Sequence, residues 1–432
     1  MEPNKRPVRL VSAISALLVG LLFTMFIGSA SASAAPAKNS YSPNSLGLEV
    51  QSAILIDADT GQVLYQVKQD DVRPPASMTK MMTEYIVLEE IKEKRLKWED
   101  IVTVTKEAAS TPADGSQIYL AEGDKHTVKE LYIAMAVGSA NDATVALANH
   151  IGGGTEQGFV QKMNETAKKL GLNTAHFTSA TGLLDTTVIS AAELAKFARI
   201  LLQQHPEFLE YSKLQSYKFR ERDKNAMVNW NWMLGSNKNV TSFKKFAYEG
   251  LDGMKTGYIG AAGYCFTGTA KRGDMRLISV VMGAGSKESR FYETAKLLDY
   301  GFNNFEKKTV VAPKSVVKDA ETVKIKKGVS KSVPVVTAND MTFLVKKGVE
   351  PQISEPKVTL LEEDKLVAPI KQGQVVGSAT YSYKDADTGE TIEKKVDLIA
   401  SEEVEKGSWW RLMFRAIGSF FVGLFKGIVD LF

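Results

Sequence analysis

Three short motifs in this chain combine residue types able to carry out acyl transfer. They are Ser77-Met78-Thr79-Lys80, Ser139-Ala140-Asn141 and Lys255-Thr256-Gly257, in that order. A serine hydroxyl is a weak nucleophile until a base takes its proton. Ser77 and Lys80 stand at i and i+3, so a helix puts them on one face. Lys80 can be that base if its amine is neutral, and burial or a second cation such as Lys255 lowers its pKa toward that state. A helix N-terminus at Ser77 also favours negative charge developing there.

Taken singly, none of the motifs decides the matter. The Ser-x-x-Lys pattern also occurs at Ser242, Ser315 and Ser354, and Ser42-Pro43-Asn44 repeats the Ser-x-Asn pattern. Context favours Ser77. It follows Pro74-Pro75-Ala76 and opens an apolar run with Met78, Met81, Met82, Tyr85 and Ile86. Prolines suit a helix entry rather than its interior. Ser242 lies in a Lys-rich, loop-like stretch, and Pro356 argues against a helical face after Ser354. Ser139-Ala140-Asn141 sits between two helical runs, Thr127–Gly138 and Asp142–Ile151. Gly257 lets a ligand or another backbone approach closely, and Lys255 with Thr256 suits a carboxylate. Each segment alone reads equally as something ordinary: an N-cap serine with a solvated lysine, a helix–helix turn, a strand start.

The elements that must position these residues are mixed. Apolar periodicity predicts helices over 76–91, 127–138, 142–151, 156–170, 190–204 and 288–305. Alternating runs Ala53–Ile56 and Gln62–Val67, around Asp57-Ala58-Asp59-Thr60-Gly61, predict a hairpin. Two further strands, Gly263–Ala270 and Met275–Met282, are joined by Arg272-Gly273-Asp274. The early hairpin and the late strands predict one antiparallel sheet covered by the intervening helices, an α+β fold. Composition shifts near Lys307. Residues 308–400 are rich in Val, Lys and Thr, with turns at Lys327-Gly328, Lys347-Gly348, Gln372-Gly373 and Thr388-Gly389. They read as a small all-β domain with no catalytic cluster, a spacer or interaction module.

The two ends are different again. Lys5, Arg6 and Arg9 precede an apolar stretch, Leu10–Ile27, and then Gly28-Ser29-Ala30-Ser31-Ala32-Ser33-Ala34-Ala35. Residues 1–35 therefore read as a secretory signal peptide. Residues 35–47 are a polar linker containing proline. Residues 407–432 carry a narrow stripe, Arg411, Arg415, Ser419, Gly423, Lys426 and Asp430, on an otherwise apolar helix. That pattern suits a helix lying in a membrane interface. Spanning needs about 20 mostly apolar residues, and the longest uncharged stretch is only Ala416–Phe425.

Bulk composition sets the limits. The chain has 432 residues, 44% apolar and 24% charged, which excludes a disordered chain, a collagen and a polytopic membrane protein. A net charge of +4 is too small to point to nucleic acid. His126, His150, His176 and His205 have no metal-ligand spacing, and the one cysteine, Cys265, cannot form an internal disulfide. No metal site is expected. Cys265 reads as a small buried residue.

In their order, the three motifs are the signature of acyl-serine enzymes that react with penicillin. The chain closely resembles the serine-type D-alanyl-D-alanine carboxypeptidases, the low-molecular-mass penicillin-binding proteins. The longer matches Pro75–Thr83, Asp252–Gly257 and Ala180-Thr181-Gly182-Leu183 carry the same resemblance. It implies a β-lactamase/transpeptidase-like catalytic domain over 45–305, the all-β domain over 308–400, and a C-terminal amphipathic anchor. It implies removal of the terminal D-alanine from peptidoglycan stem peptides, covalent reaction with β-lactams, and no cofactor. Ser77 is then the acyl nucleophile, Lys80 the general base and Ser139 the proton relay. Asn141, Lys255, Thr256 and Gly257 bind substrate, and the backbone N–H groups of Ser77 and Tyr258 form the oxyanion hole. The protein is expected outside the cytoplasm, on the outer face of the bacterial cytoplasmic membrane. Three other readings share these motifs: a β-lactamase, a transpeptidase and a non-catalytic wall-binding module. A class A β-lactamase activates its deacylating water with a glutamate. No clear equivalent lies in Ala180–Ser190, and Glu193 is a weak candidate.

Overall fold

The structure, a computed structural model, describes residues 44–385 and 389–429; the expected signal peptide at 1–35 lies outside them. The hairpin expected near the N-terminus is strands β1 (Ser52–Asp57) and β2 (Val63–Val67). Three long strands come much later: β3 (Leu251–Ile259), β4 (Gly263–Arg272) and β5 (Met275–Ala284). All five form one antiparallel sheet in the order β2-β1-β5-β4-β3. Ser52 opposes Met282 and Asp57 opposes Leu277, so early and late segments meet at the sheet centre. Strand β3, which carries Lys255, is left at an edge.

Strand β1 is buried along its length because both sheet faces are covered. Ile54 and Ile56 enter one apolar core with Ile278, Val280 and Met282. Ala53 and Leu55 enter the other with Leu277 and Val281. This is the two-residue period of a strand. Helices α1 (Lys80–Lys92), α2 (Val128–Gly138), α3 (Asn141–Ile151), α4 (Glu156–Lys169) and α5 (Ala191–Gln204) contribute to the first core. Helix α6 (Ser289–Asn304) packs into the second.

The first helix departs from expectation. The segment expected as one helix over 76–91 begins as a 3-10 turn, Ala76–Thr79, and becomes α-helical at Lys80. Ala76 has φ +50°, which a right-handed helix cannot include. In a 3-10 turn residues i and i+3 eclipse, so Ser77 is stacked over Lys80. Three strand pairs not foreseen from sequence also form: Val72–Arg73 with Ile189–Ser190, Ile101–Thr103 with Lys125–Thr127, and Ser216–Tyr217 with Met227–Val228. They are too short to show a period.

Strand β6 (Phe305–Val311) starts directly after α6. It is followed by β7 (Thr322–Lys324), β8 (Ser332–Thr337), β9 (Met341–Lys346), β10 (Lys357–Leu360), β11 (Val375–Lys384) and β12 (Thr391–Ala400). β6 pairs with β9, and the others form a sheet in the order β7-β8-β12-β11-β10 around a separate core that includes Val333, Phe343 and Leu398. Polar contacts tie this unit to the first hairpin. Lys394 Nζ lies 2.7 Å from Asp59 Oδ2, and Gln62 Nε2 donates to Asp385 Oδ2 at 3.0 Å.

Helix α7 (Trp409–Val429) ends the described chain. Arg415 holds its first half by donating to the carbonyls of Gly328 and Val329. Trp409, Trp410, Phe414, Ile417, Phe420 and Phe421 are exposed. No helix among the described residues is long and apolar enough to cross a membrane.

Candidate active site

The three motifs converge on one cleft of about 270 Å³. Ser77, Ser139, Asn141, Thr256, Gly257 and Tyr258 line it. Lys80 and Lys255 are buried behind its wall, at 0% and 3% exposure.

Each motif sits at or beside a non-glycine residue in the left-handed region: Ala76 (φ +50°), Ser139 (φ +58°) and Met254 (φ +81°). Such strain costs about 1–3 kcal/mol per residue and persists only where the surroundings impose it. Ser139 ends α2 as its left-handed C-cap, and Asn141 opens α3. The Asp142 carboxylate accepts from the Ile118 and Leu120 amides at 3.1 and 3.0 Å. The Asn141 amide donates to the Ser116 carbonyl at 2.7 Å. These bonds pin the loop through Gly115 and Ser116 across the cleft mouth. On the other side, β3 runs against the Ser77 turn. A Cβ at Gly257 would fall 2.6 Å from the Pro75 carbonyl oxygen and 3.1 Å from the Ser77 nitrogen. This is the close backbone approach expected of Gly257.

Lys80 Nζ lies 3.0 Å from Ser77 Oγ and 2.9 Å from the Thr181 carbonyl oxygen. Thr181 belongs to Ala180-Thr181-Gly182-Leu183, and the Glu156 carboxylate accepts from the Ala180 amide at 2.7 Å. Burial, and then the charge of Lys255, hold Lys80 well below the usual lysine range. Burial pushes Lys255 down to about 8, against the pull of Glu84. The arrangement therefore supplies an amine beside a serine hydroxyl, with a second cation nearby. Asn141 Oδ1 is buried with no hydrogen-bond partner among the described residues, which leaves an acceptor for a ligand N–H.

Arg290, Tyr264, Trp230 and Lys287 also line the cleft and were not singled out from sequence. Arg290, at the start of α6, donates to the Gly257 carbonyl at 3.3 Å, and burial pushes it down to about 10. Tyr258 and Tyr264 stack at 4.3 Å because they are cross-strand partners on β3 and β4. Lys287 sits over the rings of Trp230 and Trp232. Only the strand register carried a signal in the sequence, through the Tyr258–Tyr264 pair.

Other candidates lie elsewhere. The Glu193 carboxylate accepts from the Asn173 and Thr174 amides and the Thr174 hydroxyl, at 2.6–2.7 Å, and does not line the cleft. None of the four histidines lines it; His205 is buried between Glu89 and Glu207. Cys265 is fully buried, and burial pushes its thiol up to about 11.

Comparison with known proteins gives a consistent picture. Residues 38–286 match the family described as D-alanyl-D-alanine carboxypeptidase, and residues 305–406 match the penicillin-binding protein 5 C-terminal domain. The chain is 35% identical over 406 residues to the D-alanyl-D-alanine carboxypeptidase DacF of Bacillus subtilis, covering 94% of this chain and 97% of that one. Penicillin-binding protein 5 from Haemophilus influenzae is similar in structure, with a TM-score of 0.64 and 30% identity over 83% of this chain and 98% of the other. So is ampicillin-bound penicillin-binding protein D2 from Listeria monocytogenes, with a TM-score of 0.52 and 34% identity over 60% of this chain and 99% of the other.

Proposed function

The chain belongs to the D-alanyl-D-alanine carboxypeptidase family, and we propose that it works as a serine-type enzyme through an acyl intermediate on Ser77. It is a peptidoglycan carboxypeptidase and penicillin-binding protein that acts outside the cytoplasm. The observation that carries the serine mechanism is the 3.0 Å separation of Ser77 Oγ from a buried Lys80 amine.

Lys80 takes the Ser77 proton as Oγ adds to the carbonyl carbon between the two D-alanines. The oxyanion is held by the backbone N–H groups of Ser77 and Tyr258. As the C–N bond breaks, the proton passes from Lys80 through Ser139 to the leaving D-alanine nitrogen. Water then gives a proton to Lys80 and attacks the ester, and Ser77 Oγ leaves with that proton. Asn141 accepts from the substrate amide. Lys255 and Thr256 hold the terminal carboxylate, and Gly257 lets the substrate lie along β3. That strand is the edge strand of the sheet, the position to which an extended peptide adds. A β-lactam takes the same path to the ester, but its leaving group stays tethered and blocks the water.

Residues 407–432 hold the enzyme on the outer face of the cytoplasmic membrane, with the exposed aromatic face of α7 in the interface. The experiment that tests the mechanism is release of D-alanine from a D-Ala-D-Ala peptide, beside covalent penicillin labelling. Wild type releases D-alanine and labels once per chain, whereas folded Ser77→Ala does neither. Full labelling of Ser77→Ala removes Ser77 from the mechanism. Rapid multiple turnover of a chromogenic β-lactam would favour a β-lactamase instead.

A further inference from the structure

Glu84 follows Lys80 by one turn on α1 and is 0% exposed. Residues at i and i+4 share a helix face, so its carboxyl is directed along the side of α1 that carries Lys80. Its neighbours on the helix, Met81, Tyr85, Val87 and Leu88, are buried in the apolar core. Neither carboxylate oxygen has a hydrogen-bond partner among the described residues, and neither has the hydroxyl of Tyr132 on α2, which the Glu84 charge faces. A buried acid without partners is costly. Packing alone would be served better by an apolar side chain.

The charged groups around it come from several elements. Lys80 on α1 and Lys255 on β3 act on Glu84 directly. Glu156 on α4 acts on Lys80, and Arg290 on α6 acts on Lys255. Burial alone lowers the pKa of both lysines. That suits Lys80, which must be an amine, but it weakens Lys80 as a base and threatens the cation needed at Lys255. A carboxyl behind the pair that ionises as Lys255 begins to lose its proton opposes that loss. Burial raises Glu84 to about 8, against the pull of Lys255 and Lys80, so Glu84 and Lys255 titrate together.

We propose that Glu84 is a positioning residue for the reaction: its buried, unpartnered carboxyl, one turn beyond Lys80, keeps Lys255 cationic behind the cleft. It touches neither substrate nor reacting atoms. The proposal rests on the roles given above to Ser77, Lys80 and Lys255.

The test is the pH dependence of penicillin acylation in Glu84→Gln, Glu84→Met and Glu84→Asp, each with a thermal unfolding curve. Glu84 carries its charge only as pH rises toward about 8, where Lys255 also titrates. Removing that charge should therefore move the basic limb of the profile to lower pH, by on the order of one unit, in Gln and Met alike, and leave the acid limb in place. Glu84→Met replaces an unpaired buried acid with an apolar chain of similar size, so it should unfold at or above the wild-type temperature while keeping the shift. Glu84→Asp retains the charge and should restore most of the wild-type profile. Profiles of folded Gln and Met variants that superimpose on wild type would overturn the proposal. Loss of cooperative unfolding in both would make Glu84 structural and overturn it as well. If Ser77→Ala does not label and the Glu84 variants do not shift, this proposal alone falls; if Ser77→Ala labels, the underlying mechanism falls with it.

Discussion

Gly182 lies so close to Ala76 that a Cβ at 182 would fall 2.0 Å from the Ala76 carbonyl oxygen. Gly182 also has φ +75°, which an L side chain resists. The segment through Thr181 thus rests flush on the 3-10 turn carrying Ser77, and the Thr181 carbonyl reaches Lys80 Nζ at 2.9 Å. Gly182→Ala must push the two backbones apart. It is expected to slow penicillin acylation about 100-fold, as a 1 Å misplacement does, and to cost about 2–4 kcal/mol of stability. Rapid-mixing labelling and denaturant unfolding measure the two effects. Acylation at the wild-type rate would mean that this contact does not position the lysine.

The pH profile of the wild-type enzyme follows from the two lysines. Lys80 works as a free amine, and burial with the charge of Lys255 lowers its pKa toward that form. Lys255 works as a cation and loses its proton as pH rises through about 8. Activity should therefore be bell-shaped, with a basic limb near 8 and an acid limb well below the ordinary lysine range. D-alanine release across a pH series checks this. A rate that keeps rising past pH 9–10 would contradict a cationic role for Lys255.

Much of this site was legible because its chemistry is local in sequence. Ser77 and Lys80 are three residues apart, and the three motifs mark themselves by order. Long elements were legible too, since helices such as Ala191–Gln204 show a clear apolar stripe. What the sequence hid was set by contacts between distant segments. Ala76 adopts φ +50° because Gly182 and Gly257 both pack against the turn around it. Arg290 enters the cleft because α6 starts just beyond β5 and reaches the Gly257 carbonyl on β3. Neither fact has a signature in composition or period.

Glu193 was the weak candidate for activating a deacylating water, and its carboxylate is already occupied by two amides and a hydroxyl. Glu193→Gln should leave the half-life of the penicillin ester unchanged. It should lower stability by about 1–2 kcal/mol, because Gln offers a weaker acceptor to those amides. Mass spectrometry of the acylated protein over time, with a melting curve, separates the two outcomes. Longer ester survival in the variant would place Glu193 in deacylation after all.

The junction between the two folded units offers a pH-dependent contact. Burial alone would raise the Asp59 carboxyl, but the hydrogen bond and charge of Lys394, with Lys307 and Arg199, hold it below its usual value. A depressed acid contributes stability above its unfolded pKa and loses it as pH falls through the folded value. Acidification below pH of about 4 should therefore loosen this contact. Lys394→Ala should weaken that acid sensitivity, with Lys307 and Arg199 left to hold Asp59, at a cost under about 1 kcal/mol, because the pair is partly exposed. Limited proteolysis near Lys307, as a function of pH, reads it out. Equal acid sensitivity in the variant would show that the junction is held by other groups.

The C-terminal helix makes the last prediction. Its Trp409, Trp410, Phe414, Phe420 and Phe421 are exposed among the described residues, while Arg415 fixes the helix to the Gly328 turn. A helix held this way presents its apolar face to one side of the molecule, as an interfacial anchor needs. Truncation before Gly407 removes that face and leaves the cleft intact. The truncated enzyme should stay in the supernatant with lipid vesicles and release D-alanine at the full-length rate. Phe421→Asp in the full chain should weaken vesicle binding at least about 10-fold, since one buried Phe is worth about 1.5–3 kcal/mol. Tight vesicle binding by the truncated form would move the anchor out of this helix.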